Sequence, residues 1–117
     1  METKILAPIS LGDLIDRITI LEIKSRVQSQ LEEELVALQL LAQKNCNGRE
    51  LQRVLQVINQ ELWDMENLVR QRISQGDDCL VADAARSIVK LNDERSRIKQ
   101  QINLVYGAEF VEEKVYE

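Results

Sequence analysis

The sequence predicts an all-α fold, an elongated up-down-up bundle of three helices with an extended N-terminal arm and a C-terminal tail. Three observations predict it. Breakers are scarce: the 117 residues hold one Pro and four Gly, and aromatics make up 3%, a composition that disfavours a β-sandwich. Apolar residues recur in steps of three and four over long stretches, the period of a helix face. Strong punctuation falls at Asn45 to Gly48, NCNG, and at Gln75 to Asp77, QGD. Helices are therefore expected over about 10–44, 49–74 and 78–106, in a single domain spanning 1–117.

Each element has its own grounds. Residues 4–9, KILAPI, carry the only Pro and read as an extended arm. The first helix begins at a Ser10 cap, with Asp13 at the capping-box position, where a carboxylate also meets the positive end of the helix dipole. In it Asp16, Arg17, Glu22 and Lys24 are spread around the cylinder between Leu14, Ile15, Ile18, Ile20, Leu21 and Ile23. A surface helix keeps its charges on one side, so some of these must be partly buried or lie in an interface. A second apolar stripe runs through Ile20, Ile23, Val27, Leu31, Leu38 and Leu41.

The second helix carries the cleanest seam, Leu51, Leu55, Ile58, Leu62, Met65 and Val69, with Val57, Trp63 and Leu68 off it. Asp77 is a good cap for the third helix, whose stripe is Val81, Ala84, Ile88, Leu91, Arg95, Ile98, Ile102 and Val105, closed by Gly107. Short connections make neighbouring helices antiparallel, and helices roughly 40 to 50 Å long would form a slender rod. More apolar surface is present than one such seam covers, which points to a homodimer or a helical protein partner. In an antiparallel dimer the arm, with Ile5 and Leu6, would reach the partner's tail, with Phe110, Val111, Val115 and Tyr116.

The totals exclude several functions. With 44% hydrophobic residues, 30% charged residues and a net charge of -5, the chain is globular and lacks the basic face that nucleic acid requires. Arg86, Lys90, Arg95, Arg97 and Lys99 gather on the third helix, but Asp93 and Glu94 interrupt them. No apolar run is long enough to span a membrane and no signal-peptide pattern opens the chain, so a cytoplasmic setting is expected. Cys46 and Cys79 fall at opposite ends of the second helix and are not expected to pair. The absence of His removes zinc sites and the common nucleophile-base pairs, and there is no Gly-rich phosphate loop. No metal and no cofactor is expected.

Carboxylates are what remain. Asp13 with Asp16, and Glu61 with Asp64, each share a helix face. Facing acidic pairs can hold Mg²⁺, as the ExxE and ExxD motifs of the all-helical nucleotide pyrophosphohydrolases do. Counting along the helices, however, puts Asp64 level with about residue 29 and roughly 20 Å from Asp13, so the pairs cannot share a metal. They read more simply as a cap and solvated charges. Asp77 and Asp78 are expected near Asp16 across the bundle end. Arg95, on a core stripe, reads as a snorkelling side chain or as half of a partly buried ion pair, with Glu61 and Glu34 within reach.

The segments SLGDLIDRITILEIKS at 10–25, LNDERSRIKQQIN at 91–103 and VEEKVY at 111–116 are similar to those of an uncharacterised family of short bacterial and phage proteins. That family shows a start of the form S-x-G-(E/D)-L-(I/V)-D-K-(I/L)-T-I-L-E-I-K, an N-(D/E)-x-R-x-x-I-K segment and an E-E-K-x-Y end. This chain has Arg17 where the family usually has Lys. The resemblance implies a helical fold and a family often found near sugar-transfer and surface-polysaccharide genes. It implies no assigned activity.

The resulting expectation is a self-associating interaction or assembly module. Asp16, Arg17, Glu22, Lys24, Asn92 and Arg95 would set its register and partner choice, since buried polar groups specify alternatives. A Mg²⁺-dependent all-α phosphohydrolase acting on a nucleotide or nucleotide-sugar is the alternative. A third is a module binding a small anion through Arg95, Arg17 or Lys99.

Overall fold

The computed structural model describes residues 5–46 and 49–106. Among them the chain is all-helical: α1 is Leu11–Ser25, α2 Glu32–Asn45, α3 Glu50–Ser74 and α4 Asp78–Val105, with a 3-10 turn at Ser29–Leu31 leading into α2. Four α-helices thus stand where three were expected, because the first breaks after Ser25. At the break Val27 and Gln28 both donate to the Lys24 carbonyl, at 3.0 and 2.9 Å, and the Ser25 hydroxyl donates to the Glu22 carbonyl at 3.1 Å. The last carbonyls of α1 are thereby satisfied locally, and Gln28 leaves the helix in an extended conformation, φ -126° and ψ 92°.

The break has a packing reason. A straight helix over 10–44 would carry two apolar stripes on one cylinder, and one of them would face solvent. Folding α2 back along α1 lets the chain bury apolar residues of both helices against each other. Leu35 and Ala42 of α2 join Leu11, Leu14, Ile15, Ile18 and Leu21 of α1 in the core, and Leu31 and Leu38 pack against it. Ile23, expected at a dimer interface, is 4% exposed within the single chain, while Val27 is 76% exposed.

α3 and α4 form a long antiparallel hairpin. Its turn is Gln75 to Asp77, where Gly76 takes a positive φ of 72°, a conformation that disfavours any side chain. Asp77 caps α4 as expected, its Oδ1 accepting from the Leu80 N–H at 3.2 Å. Ser10 caps α1, its Oγ accepting from the Asp13 N–H at 3.1 Å. α1 lies against α2, α3 and α4 alike, and Leu55 and Ile102, fully buried, bring the two long helices into its core.

The shape is a broad slab of 47 × 37 × 26 Å rather than a rod, because the α1–α2 pair adds width beside the hairpin. Its radius of gyration of 16.0 Å exceeds the value of about 13 Å for a compact domain of this length. Ile5 and Leu6 of the arm are exposed and carry no regular structure. Gly107, the tail and its expected pairing with the arm lie outside the described residues. Cys46 and Cys79 form no disulfide with each other. Among the described residues no helix is long and apolar enough to cross a membrane.

Candidate functional site

α1 positions a polar cluster because its charges alternate with core residues along one short helix, so burying the Leu and Ile side chains carries some charges inward with them. Asp16 is 5% exposed. Its Oδ1 accepts from Arg95 Nε and from Asn59 Nδ2, each at 2.9 Å, and Oδ2 is bonded by the second guanidinium nitrogen, a bidentate pair. Asn59 Nδ2 also reaches Thr19 Oγ1 at 2.7 Å, and that hydroxyl donates to the Asp16 carbonyl at 2.8 Å. One carboxylate on α1 therefore ties together α3 and α4.

A turn earlier on α1, Asp13 meets Lys99 Nζ at 2.8 Å and accepts from Ser10 Oγ at 3.0 Å. Burial alone would push the Asp13 carboxyl up, but the Lys99 ammonium and the Ser10 hydroxyl outweigh it and hold the group below its usual value. This contribution to stability is present above pH 3.8 and is lost as pH falls through the lowered folded value. Beside it Gly12 donates its N–H to Asn103 Oδ1 at 2.7 Å, where the Gly12 backbone lies close against α4. The Nδ2 of Asn103 and the hydroxyl of Ser96 are buried without hydrogen-bond partners among the described residues.

Arg17 pairs with Glu34 on α2, Nε to Oε1 at 3.0 Å, and both side chains are about half exposed. Asp13, Asp16, Arg17, Lys24, Glu34 and Arg95 together line an open cavity of about 550 Å³ with apolar walls that include Ile9, Ile20 and Leu31. The structure thus gathers four of the residues singled out in the sequence: Asp16, Arg17, Lys24 and Arg95. Glu22 lies apart, in a second cavity between α2 and α3. Asn92, half-buried on α4, lines neither.

Three sequence expectations change here. Arg95 pairs with Asp16, not with Glu61 or Glu34. Asn59 of α3 lies level with Asp16, so the register counted along an unbroken first helix fails, and with it the placing of Asp64 level with residue 29. Asp77 and Asp78 do not approach Asp16: they open α4, and Arg95 sits about 25 Å further along it at helical rise. Among the described residues no group of three or more Asp, Glu, Cys or His side chains is placed to hold a metal ion.

Burial pushes the Glu22 carboxyl up from 4.5, against the opposing pull of the Gln52 amide, Arg26, Arg49 and the Gln39 amide. A raised folded value favours the native state below the unfolded pKa, and that advantage is lost as pH rises through the raised value. Glu22→Gln, which keeps an acceptor for Gln56 without the charge, is expected to raise Tm at pH 7. The gain should vanish below pH 4.5. Thermal melts across that range check both the sign and the pH dependence.

Gly12, Asn59 and Asn103 carry interhelical contacts that nothing in the sequence pattern marks. Compared with known proteins, residues 5–117 match the model of a family of unknown function. No curated protein and no solved structure matches the chain.

Proposed function

On the premise that the chain belongs to DUF6165, a family of unknown function, we propose that it is a self-associating helical interaction module, a cytoplasmic homodimer without a catalytic step of its own. The observation that carries this reading is the apolar surface left on α2 and α3. Val36, Leu40 and Leu41 of α2 and Val54 and Val57 of α3 are all exposed. Val36 with Leu40, and Val54 with Val57, stand at helical spacing and so share a face.

The polar groove supports the same reading. Its carboxylates are engaged by cations: Asp16 by Arg95, Asp13 by Lys99 and Glu34 by Arg17. Such pairs hold helices in register and leave no carboxylate poised for general-base or Mg²⁺ chemistry. Arg17 and Lys24, both exposed, are the charges that would read a partner's surface.

Light scattering of the full chain at tens of micromolar tests this. The expected mass is twice 13.5 kDa. A Val36→Glu/Leu40→Glu variant is expected to run as a monomer with an unchanged helical circular dichroism spectrum, since charges on this exposed face cost nothing in the monomer and are unpaired in the dimer. A monomeric mass for the unmodified chain overturns the reading.

A further inference from the structure

The larger cavity, about 750 Å³, opens between α2 and α3 above the middle of α1, and the self-association reading makes no use of it. Its size is that of a metabolite site. Ile15, Ile18 and Ala42 form an apolar floor, and the walls are polar. Two cations stand at one end: Arg49 and Arg53, a helical turn apart on the same face of α3. Neither joins an ion pair among the described residues. α3 begins at this end with no side chain among the described residues capping it, so its positive dipole end adds to the same field.

An acceptor stands beside them on α1. Glu22 Oε2 accepts from Gln56 Nε2 at 2.8 Å, and Oε1 takes a longer bond from Gln52 at 3.5 Å. A carboxylate offers about four acceptor positions, so this half-buried group has capacity left for a donor arriving through the groove. Gln39 and Gln43 of α2 face the same space, and each amide can give and take a hydrogen bond. The lining has a single carboxylate, too few for a divalent cation, and no aromatic ring on which a base would stack. Its polar walls do not suit a purely apolar guest.

We propose that this groove binds a small organic oxyanion that also carries hydroxyl or ammonium groups, with the oxyanion on Arg49 and Arg53 and the donors on Glu22. Arginine forks match phosphate and carboxylate oxygens, and the Glu22 carboxylate beside them rewards a ligand that also carries donors. The inference stands independently of the oligomeric state.

Calorimetric titration of the full chain with inorganic phosphate, glycerol, glycerol 3-phosphate and phosphoserine tests it. At least one of the two phosphate esters is expected to bind about tenfold more tightly than inorganic phosphate, and glycerol is expected not to bind. The better of the two esters tells whether hydroxyl or ammonium is the preferred donor. Arg49→Gln/Arg53→Gln, at exposed positions, should lower ester affinity about tenfold or more without changing Tm. Glu22→Gln should shrink the advantage of the ester over inorganic phosphate, while phosphate itself binds no more weakly once the neighbouring negative charge is gone. Saturation by no probe up to about 10 mM, equal affinity for phosphate and both esters, or binding indifferent to the arginine changes overturns the proposal.

Discussion

Replacing Arg95 with Met is expected to cost about 3 to 5 kcal/mol of stability, because it strands a buried carboxylate. The side chain of Asp16 is 7% exposed and that of Arg95 29%, so the partner that loses its charge complement is the buried one. Met would keep the packing of the arginine stem, yet the remaining partner of Asp16, the Asn59 amide, carries no charge. For that reason Arg95→Met and Arg95→Ala should be similarly harmful. Adding Asp16→Asn to Arg95→Met should recover more than half of the loss, since the double change removes the stranded charge. Urea unfolding of the two single variants and the double variant measures the coupling. A cost near that of an exposed pair, below about 1 kcal/mol, would show that the pair is solvated in solution.

Gly12→Ala is expected to destabilise by about 3 kcal/mol, against a helix-propensity gain of about 1 kcal/mol. A Cβ at this position would lie 2.4 Å from the Lys99 carbonyl oxygen and 3.0 Å from its carbon. Both atoms belong to the α4 backbone, which cannot swing aside as a side chain can. The helices would have to part, stretching the 2.7 Å bond from the Gly12 N–H to Asn103 and loosening the neighbouring Asp13–Lys99 pair. Chemical denaturation gives the magnitude. A neutral or stabilising result would mean that α1 and α4 do not meet this closely. Hydrogen exchange should show the loss concentrated in the amides of the first turns of α1.

Much of the fold was legible because its signals are local. The Ser10 and Asp77 caps lie within three residues of the amides they satisfy, and the stripe Leu55, Ile58, Leu62 needs only the period of one helix. The presence of buried charge was legible as well. Asp16 could not escape the core while Ile15 and Leu14 beside it were buried, and Arg95 stood on a core stripe of its own helix.

The pairing of those two residues was not legible, since it depends on register between segments 79 residues apart. The register in turn depended on a break at Arg26 to Gln28 that no Gly or Pro announces. Asn59 reads as one polar residue beside a seam, and Gly12 as a tolerated small residue in a first turn; only the closeness of a second helix gives either a task.

By itself, then, the sequence determined the helical state, the caps at Ser10 and Asp77 with the turn at Gly76, and the fact that α1 takes charge inward, all of which follow from periodicity and short-range hydrogen bonding. Only the tertiary structure decided that the first helix folds back on itself, which carboxylate meets which cation, and where the two cavities open. Those outcomes rest on packing Leu35 and Ala42 of α2 against Leu11, Leu14, Ile15, Ile18 and Leu21 of α1, a long-range gain in apolar contact that outweighs the local preference for an unbroken helix.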